Sequence, residues 1–269
     1  MPGEIFPPAD GFLMNRKFAL KNSVNYSAVI FSLFIFFSFN GKEPGSPSKT
    51  IIIIPYQRTM HISDADADIA EVSRLSVRQV RLLLRASVSE KISFAIRDNF
   101  GVRLLTEMGA AREKDDLGNF YDSENFVLSK LESESSAATA DTAPGSNPYF
   151  SIFKKNNSAD YNSSYMNVSM SKPVLLQKLA NDYEADYFLV MTQLEIKTNY
   201  NECIDIASGI YRREFRLHYA VFDAGGNQSG GGYASVETGS DMNSVNKITA
   251  NVFPELVKKV CSNVSLLIK

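Results

Sequence analysis

The chain has 269 residues, with 28 Lys+Arg against 30 Asp+Glu, a formal net charge of −2, two cysteines, two histidines and no tryptophan. A near-neutral, slightly acidic balance speaks against nucleic acid, which is held by a basic footprint. His61 and His218 belong neither to H-E-x-x-H nor to a Cys/His cluster with zinc spacing, so the sequence assigns no metal ligands.

In chain order, the first informative feature is the apolar run Ala28–Phe39 (AVIFSLFIFFSF), preceded by Arg16, Lys17 and Lys21. A basic flank before a short apolar core is the layout of a secretory signal. The run is about 12 residues, whereas spanning a bilayer takes about 20. Residues 1–41 therefore read as a signal peptide, with Met14 a better start than Met1 because MNRKFALK supplies the basic region. No cysteine follows the run to carry a lipid. Exported, the protein is periplasmic or extracellular, and it meets a membrane only if the segment stays uncleaved.

Residues 42–49 form a polar linker, and residues 50–269 a single α/β domain. Thr50–Tyr56 (TIIIIPY) reads as a strand buried on both faces and ended by Pro55. The acidic connection Met60–Ala70 leads into a helix over about 75–99, whose stripe is Val77, Val80, Leu84, Val88, Ile92 and Ile96. Val102–Leu105 makes a second strand and completes a β-α-β unit. From about residue 109 to 171 the pattern dissolves into a polar insertion, with aromatic patches at its ends and a mobile middle expected. Lys172–Asp182 then reads as a helix, Tyr187–Lys197 as a strand with Val190, Thr192, Leu194 and Ile196 on one face, and Tyr211–Asp223 as a half-exposed strand. On that strand Glu214, Arg216 and His218 are expected on the solvated side. AGGNQSGGG reads as a glycine turn leading to Tyr233–Glu237. A final helix covers about 243–267, with Pro254 kinking or restarting it. The order is β-α-β, insertion, α-β-β-β-α: a mixed α/β (α+β) sheet with helices packed against it.

Several patterns approach chemistry without reaching it. Asp64-x-Asp66-x-Asp68 opens like a calcium loop, but Ile69 and Leu75 stand where glycine and glutamate belong. The S-x-x-K spacing occurs at Ser151/Lys154, Ser169/Lys172 and Ser244/Lys247, without the companion motifs of serine acyltransferases. Cys203 with His218 would make a nucleophile and base lacking a third, orienting group. Gly225-Gly226 and Gly230-Gly231-Gly232 match no phosphate loop and lie between strands, so no cofactor is assigned. Sequons begin at Asn156, Asn162, Asn167, Asn227 and Asn263, and Asp141-Thr142-Ala143 is an O-glycosylation-like triplet. In an oxidising compartment Cys203 and Cys261 are a candidate disulfide, with two small buried hydrophobes as the alternative.

Two segments carry a resemblance: LANDYEADYFLVMTQLEI, a helix feeding a strand, and AVFDAGGNQSGGGYASVE, a strand, glycine turn and strand. With the element order, they resemble the N-terminal domain of TolB and the curli-secretion and peptidoglycan-synthase-activator lipoproteins. IIIIPYQRTMHISDADADIAEVS is similar to the opening of exported Bacteroidetes proteins. The resemblance spans about residues 50–105 and 172–268 and implies a non-enzymatic scaffold or binding role. The missing lipid-anchor cysteine departs from the lipoprotein members. The resulting expectation is a non-catalytic envelope or secreted domain that binds an envelope protein or cell-wall component. The alternatives are a periplasmic hydrolase acting on wall or polymer, and an inner-membrane-anchored assembly factor.

Export is tested at the N-terminus. Protein recovered from envelope or culture fractions should begin after the apolar run; sequencing that returns intact Met14 or Met1 would overturn cleavage.

Overall fold

The computed structural model describes residues 49–131 and 163–268. The apolar run, Ser151/Lys154, Asn156, Asn162 and Asp141–Ala143 lie outside the described residues. Among the described residues no helix is long and apolar enough to cross a membrane.

The elements in order are β1 (Thr50–Ile54), a 3-10 turn (Arg58–Met60), β2 (His61–Ser63), α1 (Asp66–Ser73), α2 (Val77–Ile96), β3 (Gly101–Leu104), α3 (Ala111–Ser123), β4 (Glu124–Lys130) and β5 (Ser164–Met170). They continue as α4 (Val174–Tyr183), β6 (Tyr187–Asp205), β7 (Ile210–Asp223), β8 (Gln228–Gly239), α5 (Val245–Lys247), a π turn (Ile248–Val252) and α6 (Phe253–Leu267). Among the described residues the main sheet runs β3-β1-β6-β7-β8, with β2 added to β6 beyond the end of β1. β1 is parallel to both β3 and β6, while β6, β7 and β8 are antiparallel. The expected mixed sheet with helices packed against it is the observed fold.

The four isoleucines of β1 explain its place. Ile51 and Ile53 join the core beneath α2 and α6, and Ile52 and Ile54 join a second core beneath α3 and α4. Side chains alternate across a strand, so a strand covered on both faces needs an unbroken apolar run. Each such burial is worth about 1.5–3 kcal/mol. The stripe of α2 packs as expected from Val80 to Ile96, Val77 of the first turn being exposed instead, and Ser76 starts that helix as a capping box with Gln79.

Several expectations are corrected. The Met60–Ala70 connection contains β2 and the start of α1, and the insertion contributes α3, β4 and β5. β4 and β5 form an antiparallel ribbon that packs on the face of β6, β7 and β8. Strand β6 is not a simple alternation. A bulge between Met191 and Gln193 shifts its parity, so Leu189, Met191, Leu194 and Ile196 share one core. The opposite face then carries Gln193 and Glu195 beside Arg216 and His218, and all four are buried rather than solvated. β5 lies over them: Thr192 Oγ1 donates to the Met166 carbonyl, and the Met166 amide donates to His218 Nδ1 at 3.0 Å.

The glycine run is also not a loop. The turn is confined to Ala224–Asn227, and Gly230, Gly231 and Gly232 lie within β8. A Cβ on Gly231 would sit 2.9 Å from both the Tyr165 ring and the Tyr219 carbonyl, so its bareness lets β5 approach the sheet. At Pro254 the helix restarts as expected. The Phe253 amide reaches back to the Ile248 carbonyl in a π turn, and Pro254 falls in the first turn of α6, where a missing N–H costs little.

The close approach at Gly231 makes a direct prediction. Gly231→Ala should lower stability to urea by about 1–3 kcal/mol through overpacking against Tyr165, and an unchanged midpoint would show that β5 yields without cost.

Candidate functional site

The site forms where β1 ends. Pro55 cannot extend the ladder, and the chain leaves the sheet through Tyr56, Gln57 and the 3-10 turn before rejoining it as β2. β3 lies on one side of β1 and the later-formed β6 on the other, so the carboxyl end of β1 is a switch point in strand order. Crevices in parallel sheets open at such points. Here the crevice is a cavity of about 260 Å³ lined by Tyr56, Arg58, His61, Val77, Arg78, Arg81, Leu82 and Arg85.

Three guanidiniums come from one face of α2, at the three- and four-residue spacings that make helix neighbours. Arg85 is the deepest, with its Nε donating to the Tyr56 carbonyl at 2.6 Å, one terminal nitrogen to Glu107 at 3.0 Å and the other to the Tyr121 hydroxyl at 2.6 Å. The Tyr121 hydroxyl in turn donates a hydrogen bond to the Pro55 carbonyl at 2.7 Å. Arg58 closes on Glu107 from the opposite side. Burial works against ionisation of Glu107, but the hydrogen bonds of Arg58 and the charge of Arg85 hold its pKa below the ordinary value.

Arg81 is positioned from beneath. Its Nε donates to Asp66, whose other oxygen faces His61 Nε2 at 3.0 Å. The carboxylate accepts only, so His61 Nε2 carries the proton and Nδ1 accepts from the Tyr56 hydroxyl at 3.3 Å. Burial again opposes ionisation, and the hydrogen bonds of His61, Arg81 and Ser63 keep the Asp66 pKa low. Both nitrogens of His61 are thus engaged, and its side chain is 1% exposed. Burial drives the pKa of the Tyr56 and Tyr121 hydroxyls far up despite Arg85, so both stay protonated as donors. Among the described residues Arg78 makes no hydrogen bond or ion pair, and the terminal nitrogens of Arg81 have no partner.

The residues singled out in the sequence do not converge here, with His61 and Asp66 excepted. Asp64 caps Thr198, accepting from its amide at 2.9 Å, Asp66 serves His61 and Arg81, and Asp68 lies 3.8 Å from Arg213. The three acids therefore serve three separate sets of partners, and among the described residues no cluster is suited to a metal ion. Ser244 is a helix cap that accepts from the Lys247 amide, which accounts for that S-x-x-K pair. Ser169 donates to the Asn125 carbonyl at the ribbon. Asn167 is buried and paired with Ser129 and Gln228, out of reach of a glycan.

Cys203 lies opposite Tyr211 near the tip of the β6–β7 hairpin, seven positions from His218 along β7, or roughly 23 Å. The two form no nucleophile–base pair. Cys203 and Cys261 are both free, which corrects the candidate disulfide. Cys203 is exposed on the hairpin, whereas Cys261 packs on α6 among Ile96, Asn99 and Val257, where burial pushes its thiol up to about 11. Burial pushes His218 down to about 4, Glu195 opposing and Arg216 reinforcing the shift.

The four arginines were not recognised in the sequence as a site. On α2 they read as the polar side of an amphipathic helix, and nothing local marks Arg58 or Glu107 as their companions.

No family model matches the chain, and no curated protein matches it. Among solved structures, lipoprotein GNA1162 from Neisseria meningitidis aligns over 81% of this chain and 98% of its own, at 14% identity and a TM-score of 0.33. At that TM-score the likeness carries neither fold nor function across.

At the back of the site Gln57 donates to the Tyr121 carbonyl at 3.0 Å and to Glu124 at 2.9 Å. Burial raises the Glu124 pKa from 4.5 to about 8, the Gln57 hydrogen bond opposing it. A carboxyl raised in the folded state favours folding while protonated. Its contribution is complete below the unfolded value and is lost as pH climbs through about 8. Glu124→Gln should remove this slope, at most about 1.4 kcal/mol per pH unit, when urea stability is compared between pH 5 and 8. Equal slopes for the two proteins would show that Glu124 is not desolvated.

Proposed function

We propose that the protein is a non-catalytic binding domain of the cell envelope or the exterior, and that the recess at the end of β1 holds an anionic group of its ligand. The apolar run with its basic flank supports export, and the resemblance to envelope domains fits a binding role.

One observation carries the choice of site. Four arginines face the recess or its rim against two carboxylates, Asp66 and Glu107. Other ion-pair groups are balanced or carry an acidic surplus. Arg112 and Lys178 meet Asp116 and Asp182, Arg103 meets Glu113, and Arg212 has both Glu202 and Glu237. In a slightly acidic chain, a concave surface with surplus guanidinium charge is where an anion gains most, since partial desolvation strengthens each contact.

Binding without turnover fits the side chains present. His61, in the cavity wall, is engaged on both nitrogens, and the hydroxyls of Tyr56 and Tyr121 are held protonated. The site offers donors and charge, the means of holding a ligand.

A ligand that binds only the folded state raises the melting temperature. Small aromatic anions, benzoate and phenyl phosphate among them, should therefore raise the melting temperature of the full chain, whereas benzyl alcohol should not. The effect should vanish in Arg78→Glu, and the anion should be recovered chemically unchanged. No anion-dependent shift would remove the recess as the binding site, and conversion of the anion would replace binding by catalysis.

A further inference from the structure

We infer that the group held in the recess is a phosphomonoester, a dianionic phosphoryl group on an organic body, rather than a carboxylate. This rests on the reading of the recess as an anion site and names its ligand class.

The first argument is charge. Arg58, Arg78, Arg81 and Arg85 oppose Asp66 and Glu107, so the surplus is two positive charges, and Asp66 and Glu107 are both held ionised. A phosphomonoester carries close to two negative charges near neutral pH, whereas a carboxylate or a sulfate ester carries one.

The second argument is the geometry of the available donors. Each nitrogen of Arg85 already has an acceptor, at Tyr56, Glu107 and Tyr121, and Arg58 is directed onto Glu107. That leaves Arg81, anchored through Nε on Asp66 with both terminal nitrogens available, and Arg78 with its whole guanidinium available. Three residues apart on α2, they present two forks on one helix face. A carboxylate has two oxygens and saturates one fork. A phosphoryl group has three terminal oxygens and can engage both forks at once.

The third argument is the remaining wall. Val77, Leu82 and the Tyr56 ring line the same cavity. A bare inorganic ion would leave that surface uncovered, whereas an ester places its organic part against it. The phosphoryl group could belong to a soluble ester or to a lipid headgroup, and the recess chemistry is common to both.

Calorimetric titration of the full chain with phenyl phosphate, phenyl sulfate and benzoate at pH 7.5 (about 1.5 units above the second phosphate ionisation) tests this. Phenyl phosphate should bind about tenfold or more tightly than either monoanion, having a third oxygen that benzoate lacks and a second negative charge that phenyl sulfate lacks. Arg78→Gln should abolish that preference. Arg78→Lys, which keeps the charge but loses the fork, should retain anion binding and the preference over phenyl sulfate while losing most of the preference over benzoate. Arg78 is exposed and unpaired among the described residues, so neither variant should change the urea midpoint.

A second arm uses phosphatidylcholine vesicles with and without phosphatidic acid. Retention on the phosphatidic acid vesicles alone, released by phenyl phosphate, assigns the group to a lipid. Binding of phenyl phosphate without retention assigns it to a soluble ester. Equal or tighter binding of benzoate or phenyl sulfate overturns the phosphomonoester and leaves an anion site standing. Binding of none of the three anions, with no vesicle retention, overturns both.

Discussion

A single guanidinium holds the carboxyl end of β1 in place. Arg85, buried on α2, donates to the Tyr56 carbonyl just past β1, to Glu107 just past β3 and to the hydroxyl of Tyr121 on α3. Charges are costly to remove from water unless every donor finds an acceptor. Arg85 finds an acceptor at each of its three nitrogens, and in doing so it ties α2 to three segments that no sheet hydrogen bond joins to it. The chain leaving β1 is thereby fixed at Tyr56, and with it the cavity wall. Tyr121 reinforces the arrangement by donating to Pro55, so both carbonyls of the strand's exit are capped.

Much of the scaffold was legible because it depends on local pattern. Four isoleucines in a row can be buried together only in a strand covered on both faces. The apolar stripe of α2 and the alternation of Phe215, Leu217, Tyr219 and Val221 leave little choice of element. What was not legible depends on residues distant in sequence. The bulge near Thr192 breaks the alternation of β6 because Thr192 turns its hydroxyl to Met166 in β5, and nothing within β6 foretells that strand. His218 looked solvated for the same reason. Its face is polar, and it is buried only because β5 is laid across it and uses Nδ1 as an acceptor. The run Gly230–Gly232 resembled a turn by composition, yet glycine serves there to admit Tyr165.

The candidate site was the least legible part. Arg78, Arg81 and Arg85 at three- and four-residue spacing are what any exposed helix face might carry. Their meaning comes from Glu107 and Tyr121, brought from 22 and 36 residues beyond Arg85. The signal present was indirect: Asp64, Asp66 and Asp68 fail as a calcium loop, and Asp66 instead reaches 15 residues along the chain to Arg81.

The buried acid and histidine gain a role when read from Arg81 downward. Asp66 is desolvated, and a lone carboxylate there would take up a proton; donors from His61, Arg81 and Ser63 keep it charged. His61 can donate to it only with the proton on Nε2, so the carboxylate selects that tautomer and the Tyr56 hydroxyl, itself beside Arg85, donates to Nδ1. The chain from Tyr56 through His61 to Asp66 thus ends by gripping Arg81 at Nε, which sets the plane of its guanidinium and leaves the terminal fork directed away from the acid. A surface ion pair of Arg81 with a solvated aspartate would be worth little and would wander among rotamers. Seated on a buried, oriented carboxylate, the same side chain is presented in one pose before any ligand arrives, and a preorganised donor avoids part of the ordering cost of binding.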